Sequence, residues 1–205
     1  MIQSQTKTWV LVLCTAAAMF SGPLIAQETK PTRIRGEIVA VDSTTLTVHR
    51  RSGDTVKIAI KSDQDVGALK NIKLADIQQG AFIGTATKTD AAGKLVAVEV
   101  LIFPEAARGT GEGHYEWDLL PGTMMTNANV DTVMQGVSGR TLKLSYKGGT
   151  KEVTVPENVP VVTPISAARS DLIIGKKVFV IANGDSNHLT AARIFVEKDG
   201  VAPPM

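Results

Sequence analysis

Four segments of this chain occur twice, in the same order and at nearly constant spacing. Leu46-Thr47-Val48 returns as Leu142-Lys143-Leu144, and Ile58-Ala59-Ile60 returns as Val153-Thr154-Val155. Asp76-Ile77-Gln78-Gln79-Gly80 returns as Asp171-Leu172-Ile173-Ile174-Gly175. Leu95-Val96-Ala97-Val98-Glu99-Val100 returns as Leu189-Thr190-Ala191-Ala192-Arg193-Ile194. The lags run from 94 to 96 residues. Self-similarity at a fixed period constrains architecture before any local propensity does. It calls for two copies of one small unit, and it names no reaction.

Each copy reads as five strands. In the first they fall at residues 35–41, 45–50, 55–60, 81–88 and 95–103, and in the second at 130–136, 141–146, 151–155, 177–182 and 189–197. Apolar and polar residues alternate in several of them, β-branched residues are plentiful, and turn signals such as Ser52-Gly53-Asp54 and Asn183-Gly184-Asp185 separate them. Residues 62–80 form a long connection that is expected to hold a short helix at 66–71. The equivalent connection, residues 156–175, carries Pro156, Pro160 and Pro164, which oppose continuous helix. Three strands, a long connection and two strands is the order of an OB-fold. The expectation is therefore an all-β protein of two tandem five-stranded OB-like barrels. They would span residues 32–103 and 130–198, joined by a central Trp-containing segment at 104–129. A split β-sandwich is the rival topology. Units of about 70 residues bury a thin core, so the two are expected to pack on each other or on the linker.

Residues 1–26 have the layout of a secretory signal peptide. Lys7 is the only charge before Glu28, Trp9 to Phe20 is apolar, Ser21-Gly22-Pro23 breaks the run, and Ala26 offers a small residue for cleavage. The run is too short for a membrane-spanning helix, which needs about 20 residues. Cys14 is preceded by Leu13 rather than a small residue, which argues against lipid attachment, and it is the only cysteine. Cleavage would leave no thiol for disulfides or thiolate metal sites. With 22 basic and 20 acidic residues, the chain lacks the clustered positive charge that nucleic acid rewards. Its 4% aromatic content offers few rings for stacking bases. Nucleic acid is not an expected partner, nor is a membrane once the leader is removed.

The segment between the copies has no counterpart elsewhere. Glycines at 109, 111 and 113 loosen its first part. His114-Tyr115-Glu116-Trp117-Asp118-Leu119 then alternates strictly, and as a strand it would put His114, Glu116 and Asp118 on one face and Tyr115, Trp117 and Leu119 on the other. Three readings stay open. The aromatic face fills the groove between the barrels while the polar face is solvated. Alternatively, Tyr115 and Trp117 form an exposed platform for a sugar or peptide. In the third reading, one imidazole and two carboxylates from His114, Glu116 and Asp118 hold zinc or a similar ion, or Met124 and Met125 favour copper(I). Against that last reading, the ends of the trio lie roughly 14 Å apart on an extended strand.

Other candidates carry less. His49 and His188 are expected to be surface histidines. The pairs Arg33/Arg35 and Arg50/Arg51 read as solvated strand edges. No Gly-x-Ser-x-Gly elbow, phosphate loop or paired-histidine zinc helix occurs, so no catalytic constellation is expected.

The run Gly111-Glu112-Gly113-His114-Tyr115-Glu116-Trp117-Asp118-Leu119-Leu120-Pro121-Gly122-Thr123-Met124-Met125-Thr126-Asn127 resembles the central signature of small exported proteins of Gram-negative bacteria. These proteins carry repeats similar to an OB-like domain of unknown function, and the resemblance covers most of the chain after the leader. It implies a periplasmic location and brings no assigned activity or functional residues. Some relatives bear a label mentioning a metal transport permease. A permease crosses the bilayer repeatedly, and one short apolar segment does not. The reading that results is a periplasmic, non-catalytic binding or accessory protein for a partner protein, peptide or saccharide, without a cofactor. Its alternative is zinc or copper binding and delivery through His114 and Glu116, with Asp118 or Met125.

Overall fold

The computed structural model describes residues 31–137 and 139–204. The expected leader lies outside them. The described chain is all-β, with three short 3₁₀ turns and no α-helix among the described residues. No helix there is long and apolar enough to cross a membrane.

Thirteen strands follow in order: β1 (Thr32–Val41), β2 (Thr45–Arg50), β3 (Thr55–Ala59), β4 (Val66–Asn71), β5 (Phe82–Thr89), β6 (Leu95–Ile102), β7 (Gly113–Trp117), β8 (Thr123–Gly136), β9 (Gly139–Tyr146), β10 (Gly149–Pro156), β11 (Val161–Ala167), β12 (Lys177–Asn183) and β13 (Leu189–Val196). Ten of them match the expected strands to within a few residues at most ends, β8 starting earliest. The expected helix at 66–71 is instead β4. Val66, Ala68 and Leu69 are buried, and β4 pairs antiparallel with β11 along its whole length, from Val66↔Ala167 to Asn71↔Val162. β11 was hidden by Pro164, which sits inside it opposite Leu69. Proline is tolerated there because a strand, unlike a helix, needs the N–H only where a neighbour accepts it.

The pairing closes two five-stranded rings, and neither belongs to one repeat. β1, β2 and β3 pair in sequence, but β1 continues to β12, β12 to β13, and β13 closes in parallel on β3 through Leu189↔Ile58 and Thr190↔Ala59. The second ring runs β8, β9, β10, then in parallel to β6 through Val153↔Leu95 and Thr154↔Val96, and back through β5 to β8. Each ring thus takes three strands from one repeat and the last two from the other. This corrects the tandem arrangement and its boundaries, since residues 32–103 do not enclose a ring of their own.

Packing follows the exchange. One core joins Ile34, Ile38, Leu46, Val48 and Ile58 of the first repeat to Val178, Val180, Ile194 and Val196 of the second. The other joins Ile83, Ala97 and Val100 to Val130, Leu142, Leu144, Val153 and Val155. Bulges recur at matching positions: Ile38/Ala40 of β1 with Val130/Thr132 of β8, and Ala86/Thr87 of β5 with Ile181/Ala182 of β12. The repeated Asp-x-x-x-Gly motif has a structural role. Asp76 accepts from the Lys73 N–H and Asp171 from the Ala168 N–H, each at 2.8 Å, shaping a 3₁₀ turn that seats buried Ile77 or Leu172. Gly80 and Gly175 end the turns at φ 83° and 89°, where a side chain would be strained, and donate to Val130 and Ile38 at 2.8 Å.

β4 and β11, the two crossings between the rings, are bonded to each other and to β13 and β6. Leu69, Leu101 and Val162 form a small third core at this junction, backed by Phe103, Phe195 and Val201.

Candidate functional site

β7 is the extra strand, lying outside the exchange and pairing only with the start of β8, from Gly113↔Asn127 to Trp117↔Thr123. Pro121-Gly122 turns the hairpin, and the Thr123 hydroxyl lies 2.8 Å from both the Trp117 and Leu120 carbonyls. Strand alternation then splits the side chains. Tyr115 and Trp117 face the first ring, and His114 and Glu116 face away from it.

Trp117 leaves the second ring to pack on the first. Its ring lies under the Arg33 guanidinium at 4.0 Å and meets Phe179 of β12 at 6.3 Å and Tyr115 at 6.2 Å. Arg35 is 7% exposed, with its guanidinium 4.7 Å from the Phe179 ring and Nη1 2.9 Å from Asp118. Burial pulls the Arg35 pKa down, and Asp118 opposes that. Arg33 and Arg35 are therefore not the solvated edge expected of them. β1 is paired on both sides, and its arginines hold the tip of the hairpin by ion pair and by charge over aromatic faces.

Between hairpin and rings lies a cleft of about 540 Å³. Its walls are largely apolar: Leu101 and Phe103, Tyr115 and Trp117, Met125, Phe179, Ile181 and Phe195. Gly84 keeps one wall open, since a Cβ there would come within 2.7 Å of the Asn127 side-chain oxygen and 3.2 Å of Phe103.

Set in this wall is a polar group that the sequence reading passed over. Glu99 lies on the outward face of β6 with Leu101 and Phe103, yet it is 1% exposed. Neither carboxyl oxygen has a hydrogen-bond partner. Burial is the main cause that pushes its pKa up to about 7, against the pull of Arg35 and Arg51. The Trp117 Nε1–H and the Asn127 Oδ1 are also buried without partners, although the Asn127 amide donates to Thr110 O at 2.9 Å and Tyr115 OH at 3.3 Å. Buried polar atoms without partners are few in proteins and call for an explanation. Here the residues that carry them, Glu99, Trp117 and Asn127, line one cavity. The available signal was a lone glutamate in the apolar run 95–102, visible only as one letter of the repeat.

The proposed metal ligands do not converge. His114 Nδ1 lies 2.8 Å from the Thr126 hydroxyl, and its ring stacks on Tyr146 at 6.3 Å; burial, then Lys151, lowers its pKa. Glu116 is exposed, and Asp118 turns to Arg35 and Arg33 on the opposite side of the hairpin. Met125 is buried opposite Tyr115 and lines the cleft, while Met124 pairs with Glu116 on the other face. Among the described residues, no three His, Cys, Asp or Glu side chains gather in a way that holds a metal. His49 and His188 are exposed.

No protein-family model, curated protein or solved structure matches the chain.

Proposed function

We propose that this chain is an exported, periplasmic binding or accessory module, built on two OB-like barrels, that holds an apolar small molecule or apolar peptide side chain in the inter-ring cleft without chemistry of its own. One observation carries the reading: an apolar cavity lined by three residues with buried, unpartnered polar atoms, Glu99 with both its oxygens among them. Pockets of this size, mostly apolar with a few placed polar groups, are the usual form of small-molecule sites. A saccharide fits the walls poorly, because most of its hydroxyls would meet carbon. Catalysis is not part of the proposal. Neither Glu99 oxygen has a hydrogen-bond partner, and among the described residues no nucleophile with an adjacent base lines the cleft.

The test uses a neutral apolar fluorophore, N-phenyl-1-naphthylamine. Wild type is expected to bind one equivalent. Ala192→Trp, which adds bulk at an exposed position of the cleft wall and belongs to neither ring core, is expected to lose it with little change in melting temperature. Binding that persists in this variant, or no binding by wild type, removes the cleft as a ligand site.

A further inference from the structure

We infer that the cleft selects an apolar ligand carrying one uncharged group that both donates and accepts a hydrogen bond, an alcohol or a primary amide, with a Glu99 oxygen accepting the hydrogen bond it donates. The inference rests on the cleft reading above and adds the chemistry of the ligand. Glu99 offers two oxygens without partners, and Trp117 offers an indole N–H without one. A hydroxyl or amide supplies the donor for the first and an acceptor for the second. A hydrocarbon supplies neither, and would leave the polar atoms covered and unpaired, which costs about as much as a hydrogen bond or more.

Charge argues for a neutral group. Two of the aromatic faces that could hold a ligand cation, those of Trp117 and Phe179, are already taken by arginines. Arg33 lies 4.0 Å from the Trp117 centroid, and Arg35 lies 5.5 Å from Trp117 and 4.7 Å from Phe179. A ligand ammonium would enter beside two guanidinium ions. Above about pH 7, where Glu99 is ionised, a ligand carboxylate would face a like charge and be repelled. A further basic residue, Arg193, is exposed on the cleft wall.

The experiment is displacement of bound N-phenyl-1-naphthylamine at pH 8.5, where Glu99 is ionised and can only accept, by eight-carbon probes: 1-octanol, octanamide, methyl heptyl ether, octylammonium and octanoate. Octanol and the ether are isomers that differ in the O–H donor. Octanol and octanamide are expected to displace the dye at least about tenfold more tightly than the ether and both ions, as loss of one buried hydrogen bond implies. Glu99→Met should erase the octanol preference, and Glu99→Gln, which keeps an acceptor, should retain it. Equal affinity for octanol and ether in wild type overturns the inference while leaving the cleft reading in place. Tighter binding of either ion also overturns it. Failure of the dye itself to bind removes both.

Discussion

The two rings agree on their inner faces and disagree where they face each other. Inside, equivalent residues keep their character: Leu46 and Leu142, Ile58 and Val153, Ile83 and Val178, Val100 and Ile194 are all buried and aliphatic. Toward the cleft, the same alignment sets Arg35 against Asn127, Arg33 against Met125, Phe179 against Gly84, and Arg193 against Glu99. The inner positions answer to packing density, which tolerates little change in volume. The outer ones are free of that demand, and there one ring presents arginines and a phenylalanine while the other presents a glycine, an amide and a buried acid. The repeat builds a symmetric frame, and the departures from symmetry, with the unrepeated hairpin, build the cleft.

The comparison breaks most sharply if the halves are separated. Residues 32–103 and 113–204 made alone should each fail to fold, because each would lack two strands of one ring and three of the other. Mixed, they should recover the strand signal in circular dichroism and elute as one species. An independently folded half would return the architecture to tandem units. Next in size is the paired core. Leu46→Ala and Leu142→Ala, both at fully buried sites, should each cost about 2–5 kcal/mol in urea denaturation, within about 1 kcal/mol of each other. A large inequality would mean the rings are not equivalent inside.

Smaller, but specific to the outer faces, is the pair Glu99 and Arg193. The Glu99 carboxyl keeps its proton to about pH 7 when folded, against an ordinary value of 4.5. The unfolded chain therefore binds fewer protons through that window, so stability is fully present below about 4.5 and falls as pH rises through 7, by at most ~3 kcal/mol. Glu99→Gln should remove this contribution, seen as a smaller difference between urea midpoints at pH 5 and pH 8. Arg193→Gln, at an exposed site, should shift stability by no more than about 0.5 kcal/mol and leave the pH dependence intact.

Period-two alternation made the strands legible, because burial of one face writes itself into local sequence. It did not reveal which copies pair. The strands at 82–102 and 177–196 present similar apolar faces, so either pair could complete either ring, and the choice is made by the path of the two crossings. β4 was misread because Val66, Ala68 and Leu69 in a short stretch fit helix as well as strand, and β11 was obscured by Pro164. Tyr115 and Trp117 stood out as aromatics in an alternating run, and they line the cleft. Glu99 did not, because its importance lies in the partners it lacks, a property of three-dimensional surroundings. The spacing of His114, Glu116 and Asp118 suggested a shared face, but the hairpin turn swings Asp118 to the arginines.

The parallel closure of β3 on β13 has a consequence for how the molecule comes into being. A chain emerges from the ribosome starting at its N-terminus, and residues 32–59 appear long before residues 177–196, the strands that finish their barrel. Throughout that interval the opening three-stranded sheet has two unpaired edges and an uncovered apolar face, the state most prone to wrong association. Contacts across such long separations in sequence also slow folding. The first barrel therefore cannot shut until residue 196 has been made, whereas the second has all its strands by residue 156, and the opening sheet stays exposed for longer than it would in a chain of two self-contained beads.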